Sequence, residues 1–125
     1  MGKTPEYLLA IIKQKRGEEE KRTDLPATNI VDLIEAIGTI AAKTGNPVDV
    51  PELVVEHKTI GSGLRCRIEG EIDWGPDQQG KSTRLKLEEL EGDPLNKVLE
   101  KISIVSAKMG KPPQTIENIK LVCDL

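Results

Sequence analysis

Phenylalanine is absent from this chain of 125 residues, and Tyr7 and Trp74 are its only aromatic side chains. A core must therefore be built from Ile, Leu and Val. The aromatic platforms on which a single-strand nucleic-acid reader stacks bases are missing as well. Histidine occurs once, at His57, and cysteine twice, at Cys66 and Cys123, so no metal-ligating set is visible and neither a metal nor a cofactor is expected. No apolar run approaches the length of a bilayer span, and Tyr7 to Ile12 is too short for a signal peptide. The opening Met1-Gly2-Lys3-Thr4-Pro5-Glu6 lacks the Ser or Thr that myristoylation wants at the sixth position. A strong excess of positive charge is also lacking. The net charge is −3, with six Lys or Arg against four Glu in residues 1–22 and twelve against seventeen in the remainder, which excludes a general DNA-binding domain. These absences predict a soluble, cytoplasmic chain with no membrane partner. Its length is enough for one core without a disulfide or a metal. The cysteines read most simply as two small buried hydrophobes, a disulfide between adjacent strands being the alternative.

What is present is an internal echo. Laid without a gap over Val98–Val122, the segment Leu33–His57 matches Glu35 with Glu100, Ile37 with Ile102, Ala42-Lys43 with Ala107-Lys108, Gly45 with Gly110, Pro47 with Pro112 and Glu52 with Glu117. Each copy reads as a helix, a glycine stop, a proline and a strand. Such a unit cannot bury its apolar face alone, so two copies sharing a sheet make a small core.

The remaining elements follow from period. Thr4-Pro5-Glu6 reads as a helix opening, and the helix it opens runs through Arg16 with Leu8, Leu9, Ile11 and Ile12 apolar and Gly17 as its stop. Residues 18–26 are charged and aperiodic, a linker or helix extension. This divides the chain into residues 1–22, an N-terminal helix and charged linker, and residues 23–125, one domain containing the repeat (31–57 and 96–122). The repeat helices start near Asn29 and Asp93-Pro94 and end at Gly45 and Gly110. Leu64 to Trp74 and Thr83 to Glu88 alternate with a period of two, and the charges set Asp73 against Arg84 and Glu71 against Lys86, with Trp74 opposite Thr83. Strands at 52–60, joined onward through Gly61-Ser62-Gly63, and at 116–125 complete the set. The expected fold is α+β: a four-stranded, mainly antiparallel sheet with the two repeat-related helices on one face and an extra N-terminal helix.

No constellation here demands catalysis, and the chain is read as a non-enzymatic protein-binding or assembly protein that self-associates. Leu8, Leu9, Ile11 and Ile12 of the N-terminal helix are the expected partner-binding residues, meeting a protein partner or a second copy. The other reading is a module for a phosphate-bearing ligand, nucleotide or nucleic acid. Gly75-Pro76-Asp77-Gln78-Gln79-Gly80-Lys81-Ser82 fits the phosphate-loop pattern G-x-x-x-x-G-K-[ST], but the strand-like residues after it oppose the helix that such a loop must enter. In that reading Gly80, Lys81 and Ser82 of the loop join Arg65, Arg67, Arg84 and Lys86 of the sheet face, although Glu69, Glu71, Asp73 and Glu88 interleave with those cations. His57 shares the phase of Leu53 and Val55, which fits a structural histidine better than a general base.

Overall fold

The chain begins as a β-hairpin. In the computed structural model, which describes residues 2–60 and 64–125 without the side chain of Arg16, strands β1 (Leu8–Arg16) and β2 (Glu19–Ala27) pair antiparallel from Leu8↔Ala27 to Arg16↔Glu19. Gly17 and Glu18 form the turn, and Gly17 takes the positive φ of 65° that two-residue hairpin turns favour. This corrects the expected N-terminal helix and charged linker. The reason lies in the burial period: Leu8, Ala10, Ile12 and Gln14 are buried, while Leu9, Ile11 and Lys13 between them are only half-buried. A helix would have grouped Leu8 with Ile11 and Ile12; a strand groups Leu8 with Ala10 and Ile12.

The two other helices form where their sequence signals place them. Helix α1 (Ile30–Thr44) is capped by Asn29, whose side-chain oxygen accepts the Asp32 amide at 2.9 Å, and ends at Gly45 with φ 71°. Helix α2 (Leu95–Met109) ends at Gly110 with φ 70°, and each glycine N–H returns to a carbonyl of the last turn, Ala41 and Ser106 respectively. Strands β3 (Asp49–Val55) and β4 (Lys58–Thr59) follow α1; β5 (Cys66–Pro76), β6 (Ser82–Lys86) and a 3-10 turn (Leu87–Leu90) precede α2; β7 (Thr115–Cys123) follows it. The Gly61-Ser62-Gly63 connection lies outside the described residues. His57 is exposed in the turn after β3, not packed with Leu53 and Val55.

The strands form two antiparallel sheets rather than one. Their orders are β2-β1-β3-β4 and β6-β5-β7. The segment expected at 52–60 leaves the other three strands and pairs with β1, Leu8 opposite Val55 and Ala10 opposite Leu53, a partner that exists only because the N-terminal segment is itself a strand. In the second sheet Asp73 faces Arg84 and Glu71 faces Lys86, as the charge pattern requires. An irregularity after Asp73 sets Gly75, not Trp74, opposite Thr83.

Both sheets and both helices share one core. It runs through Leu8 and Ile12 of β1, Leu33, Ile34 and Ile37 of α1, Leu53 of β3, Ile72 and Trp74 of β5, and Leu99 and Ile102 of α2. Two of its polar details explain residues that the apolar pattern leaves out. The Trp74 indole N–H, buried, donates to Ser106 Oγ at 2.9 Å, which removes the cost of an unpaired donor. Helix α2 also closes the open edge of β3, where β4 is too short to reach. Ser103 Oγ receives the Val48 N–H at 3.0 Å and donates to the Val48 carbonyl at 3.1 Å. Glu100 accepts the Val50 N–H at 2.7 Å, and Asn96 donates to the Val50 carbonyl at 3.1 Å. Three helix side chains thus do for β3 what a further strand would do.

The cysteines are not free. Cys66 and Cys123 stand directly opposite each other on β5 and β7 and are joined as a disulfide, which corrects the reading of two reduced, buried thiols. Their pairing depends on register, which sequence spacing does not reveal.

Candidate functional site

The two sheets turn chemically different outer faces away from the shared core. On the four-stranded sheet, alternation puts Leu9 and Ile11 on the side opposite Leu8, Ala10 and Ile12. Leu9 has Pro26 of β2 on one side and Val54 of β3 on the other. Ile11 has Asp24 and Glu52 in the same positions, and Tyr7, 43% exposed, precedes the row. Leu9, Ile11 and Val54 are half-buried yet take no part in the core cluster, whereas Leu25 and Ala27 of β2 pack against it. Of the four residues expected to meet a partner, the structure therefore splits the set: Leu8 at 0% and Ile12 at 2% exposure belong to the core of their own subunit, and Leu9 and Ile11 face outward.

The outer face of the three-stranded sheet is charged and largely self-neutralised. Arg84 reaches both Glu71 and Asp73 at 3.3 Å, and Arg67 reaches Glu69 at 3.3 Å. Lys86 stands opposite Glu71. Arg65, Arg67 and Lys120 border a hollow of about 430 Å³ that also takes in Glu69 and Asp124. The expected cations are thus split between the two ends of the sheet, Arg84 and Lys86 toward the hairpin and Arg65 and Arg67 beside the disulfide.

The loop from Gly75 to Ser82 closes the β5–β6 hairpin and delivers its last residues into β6, not into a helix. The amides of Asp77, Gln79, Gly80 and Lys81 are already occupied. One carboxylate oxygen of Asp77 accepts the Gln79 N–H at 2.8 Å and the Lys81 N–H at 2.9 Å, while the Gly80 N–H bonds the Asp77 carbonyl at 3.0 Å. A phosphate in this loop would have to displace a carboxylate that the chain itself supplies. The Lys81 amide, followed by the Gln79 amide and the charges of Lys81 and Lys111, holds the Asp77 carboxyl below its ordinary value. Asp73, bonded by the Gly75 amide and Arg84, and Glu88, bonded by the Gly70 amide, are lowered in the same way. A depressed carboxylate contributes stability above its unfolded value that is lost as pH falls through the folded one. The Gln79 and Lys81 amide resonances are accordingly expected to titrate together on acidification, with a common midpoint below 3.8, the ordinary aspartate value. A midpoint at or above it would remove Asp77 as the loop's anion.

Among the described residues no group of three His, Cys, Asp or Glu side chains is placed to hold a metal, and no helix is long and apolar enough to cross a membrane. The chain matches no protein-family model, no curated protein and no solved structure. Sequence reasoning held the cystine only as the alternative to free thiols and missed the outward row through Leu9. The first needed the β5–β7 register, and the second needed the strand assignment of residues 8–16.

Proposed function

We propose that this is a non-enzymatic protein-binding protein that self-associates through the outer face of its four-stranded sheet. The observation that supports this reading is the apolar row Pro26–Leu9–Val54 with Ile11 and Tyr7 beside it, on a face whose counterpart in the other sheet is charged. The occupant assigned to it is a second copy. Leu9 lies on the line of β1 with an apolar neighbour on each flank, Pro26 and Val54, so a two-fold rotation about that line sets this row against its own copy, the isologous contact of most dimers. Substituting Leu9→Glu together with Ile11→Glu places two charges there without touching the core. The double variant is expected to keep the wild-type circular dichroism and to run as a monomer in light scattering, where the wild type is a dimer. A wild type that stays monomeric at high micromolar concentration, or a variant that still dimerises, overturns the proposal.

The finer architecture is read the same way, as two tandem hairpin–helix–strand units. Each unit has its first hairpin strand at the centre, β2-β1-β3 and β6-β5-β7. The matched glycines carry matched caps, and equivalent positions meet across the molecule: Ser103 of α2 bonds Val48, while Gly38 of α1 lies against Pro113, where a Cβ would come within 2.7 Å of the ring. The duplicated unit would then begin at the hairpin, not at the helix. The cystine supports an oxidising compartment over the cytoplasm expected from the sequence.

A further inference from the structure

The Cys66–Cys123 bond lies at the end of the β5–β7 ladder with its two sulfurs in unlike surroundings. Cys123 is fully buried, and Cys66 is half-buried. Strand β7 flanks β5 on one side. On the other, beyond the last β6 pair at Glu71↔Lys86, no strand continues among the described residues; the 3-10 turn takes that place, with the Gly70 N–H bonded to Glu88 at 2.7 Å. Between the turn and β5 a groove of about 140 Å³ remains, bordered by Cys66, Ile68, Leu87 and Leu90 and rimmed by four carboxylates and Arg67.

A thiolate displaces a disulfide sulfur along the S–S axis, from the side opposite the leaving sulfur. Cys66 borders both this groove and the hollow of about 430 Å³ with Arg65, Arg67 and Lys120; that hollow spans β5 and β7 and so lies toward the leaving sulfur, whereas the groove lies on the side of β5 away from β7. Cys123 is fully buried, and its backbone is covered by Lys3, whose N–H and C=O both bond to it at 2.8 Å. We propose that Cys66 is the entry point of a reversible thiol–disulfide site that accepts a small aminothiol through this groove. The incoming thiolate forms a bond to Cys66 Sγ, the Cys66–Cys123 bond breaks, and Cys123 leaves as a thiolate that takes a proton from water. The reverse displacement restores the bond and releases the thiol, so no external oxidant enters the step. Backbone hydrogen bonds on both sides of the pair, Arg65 O to the Asp124 amide and the ladder from Arg67↔Val122 onward, keep the sulfurs close enough to rejoin.

Size and charge set the class of thiol. The groove volume suits a molecule of a few heavy atoms and excludes a protein segment. Of the rim acids, Glu69 is engaged by Arg67 and Asp93 by Lys101, while among the described residues no ion pair reaches Glu88 or Glu91. An anionic thiol meets that field as a repulsion, and a cationic one is drawn in.

The test uses the oxidised wild-type protein incubated separately with cysteamine, 2-mercaptoethanol and 2-mercaptoethanesulfonate, with rates corrected to equal thiolate concentration. After quenching and alkylation, peptide mass spectrometry is expected to find the adduct on Cys66 and the alkyl group on Cys123. Cysteamine should react about tenfold faster than the sulfonate at low ionic strength, with the gap closing in high salt and narrowing in Glu91→Gln. An adduct on Cys123, equal corrected rates for the two charged thiols, or no exchange until denaturant is added would each overturn the proposal.

Discussion

Breaking the Cys66–Cys123 bond is expected to lower the free energy of unfolding by about 4 kcal/mol. The bond closes a loop with a sequence separation of 57, and in the chain-entropy account a closed loop of this size restricts the unfolded ensemble by roughly that amount. Small domains are stable by only about 5–15 kcal/mol in total. The native contacts around the pair do not depend on the bond, since the β5–β7 ladder and the Lys3 bridge hold both backbones independently. Urea titrations of oxidised protein, of protein held in dithiothreitol, and of the Cys66→Ser, Cys123→Ser double variant should therefore show a lower midpoint with the folded spectrum preserved. A loss below about 1 kcal/mol would mean that the unfolded chain is already restricted near these residues.

How the sequence encodes its fold differs from element to element. The helices α1 and α2 were legible because every level agreed: apolar residues at helical spacing, an Asn cap for the first, and a glycine ending each. The β5–β6 register was legible because Asp73, Glu71, Arg84 and Lys86 leave one charge-satisfying alignment, and only the irregularity that shifts Thr83 onto Gly75 escaped it. The first hairpin was illegible for two physical reasons. Its central strand is apolar on both faces, Leu8, Ala10 and Ile12 toward the core and Leu9 and Ile11 away from it, so no period of two shows in the text, and a short continuous apolar run fits helix and strand alike. Its partner β2 is an edge strand that turns only Thr23, Leu25 and Ala27 partly inward, so Glu19 to Arg22 read as a solvated linker. The outward apolar row that carries the proposed contact is a consequence of the same ambiguity. Leu9 and Ile11 face outward while Leu8 and Ile12 face the core because a strand, unlike a helix, splits neighbours between two faces.

That split leads to the second large effect. Leu8→Ala and Ile12→Ala are each expected to cost about 2–5 kcal/mol, since both side chains are buried in the core and their truncation leaves cavities among packed neighbours. Leu9→Ala and Ile11→Ala, on the other face and outside the core cluster, should cost about 1 kcal/mol or less. The decisive residue is Ile11. On a helix it would share a face with Leu8 and Ile12 and be as costly to truncate; on a strand it shares a face with Leu9. Thermal or urea melts of the four single variants therefore read the secondary structure of residues 8–12 in solution, and an Ile11→Ala loss equal to that of Leu8→Ala would contradict the hairpin. The strand assignment also decides the outcome of truncation. A detachable N-terminal helix could be removed to leave a folding body, but β1 is an interior strand of its sheet, paired with β2 and β3, and it contributes Leu8, Ala10 and Ile12 to the common core. Deleting residues 1–27 would leave β3 with β4 alone and expose Leu53 and Val55, so loss of the cooperative melt is the expected outcome. A truncated chain that still unfolds in one sharp transition would place the core elsewhere.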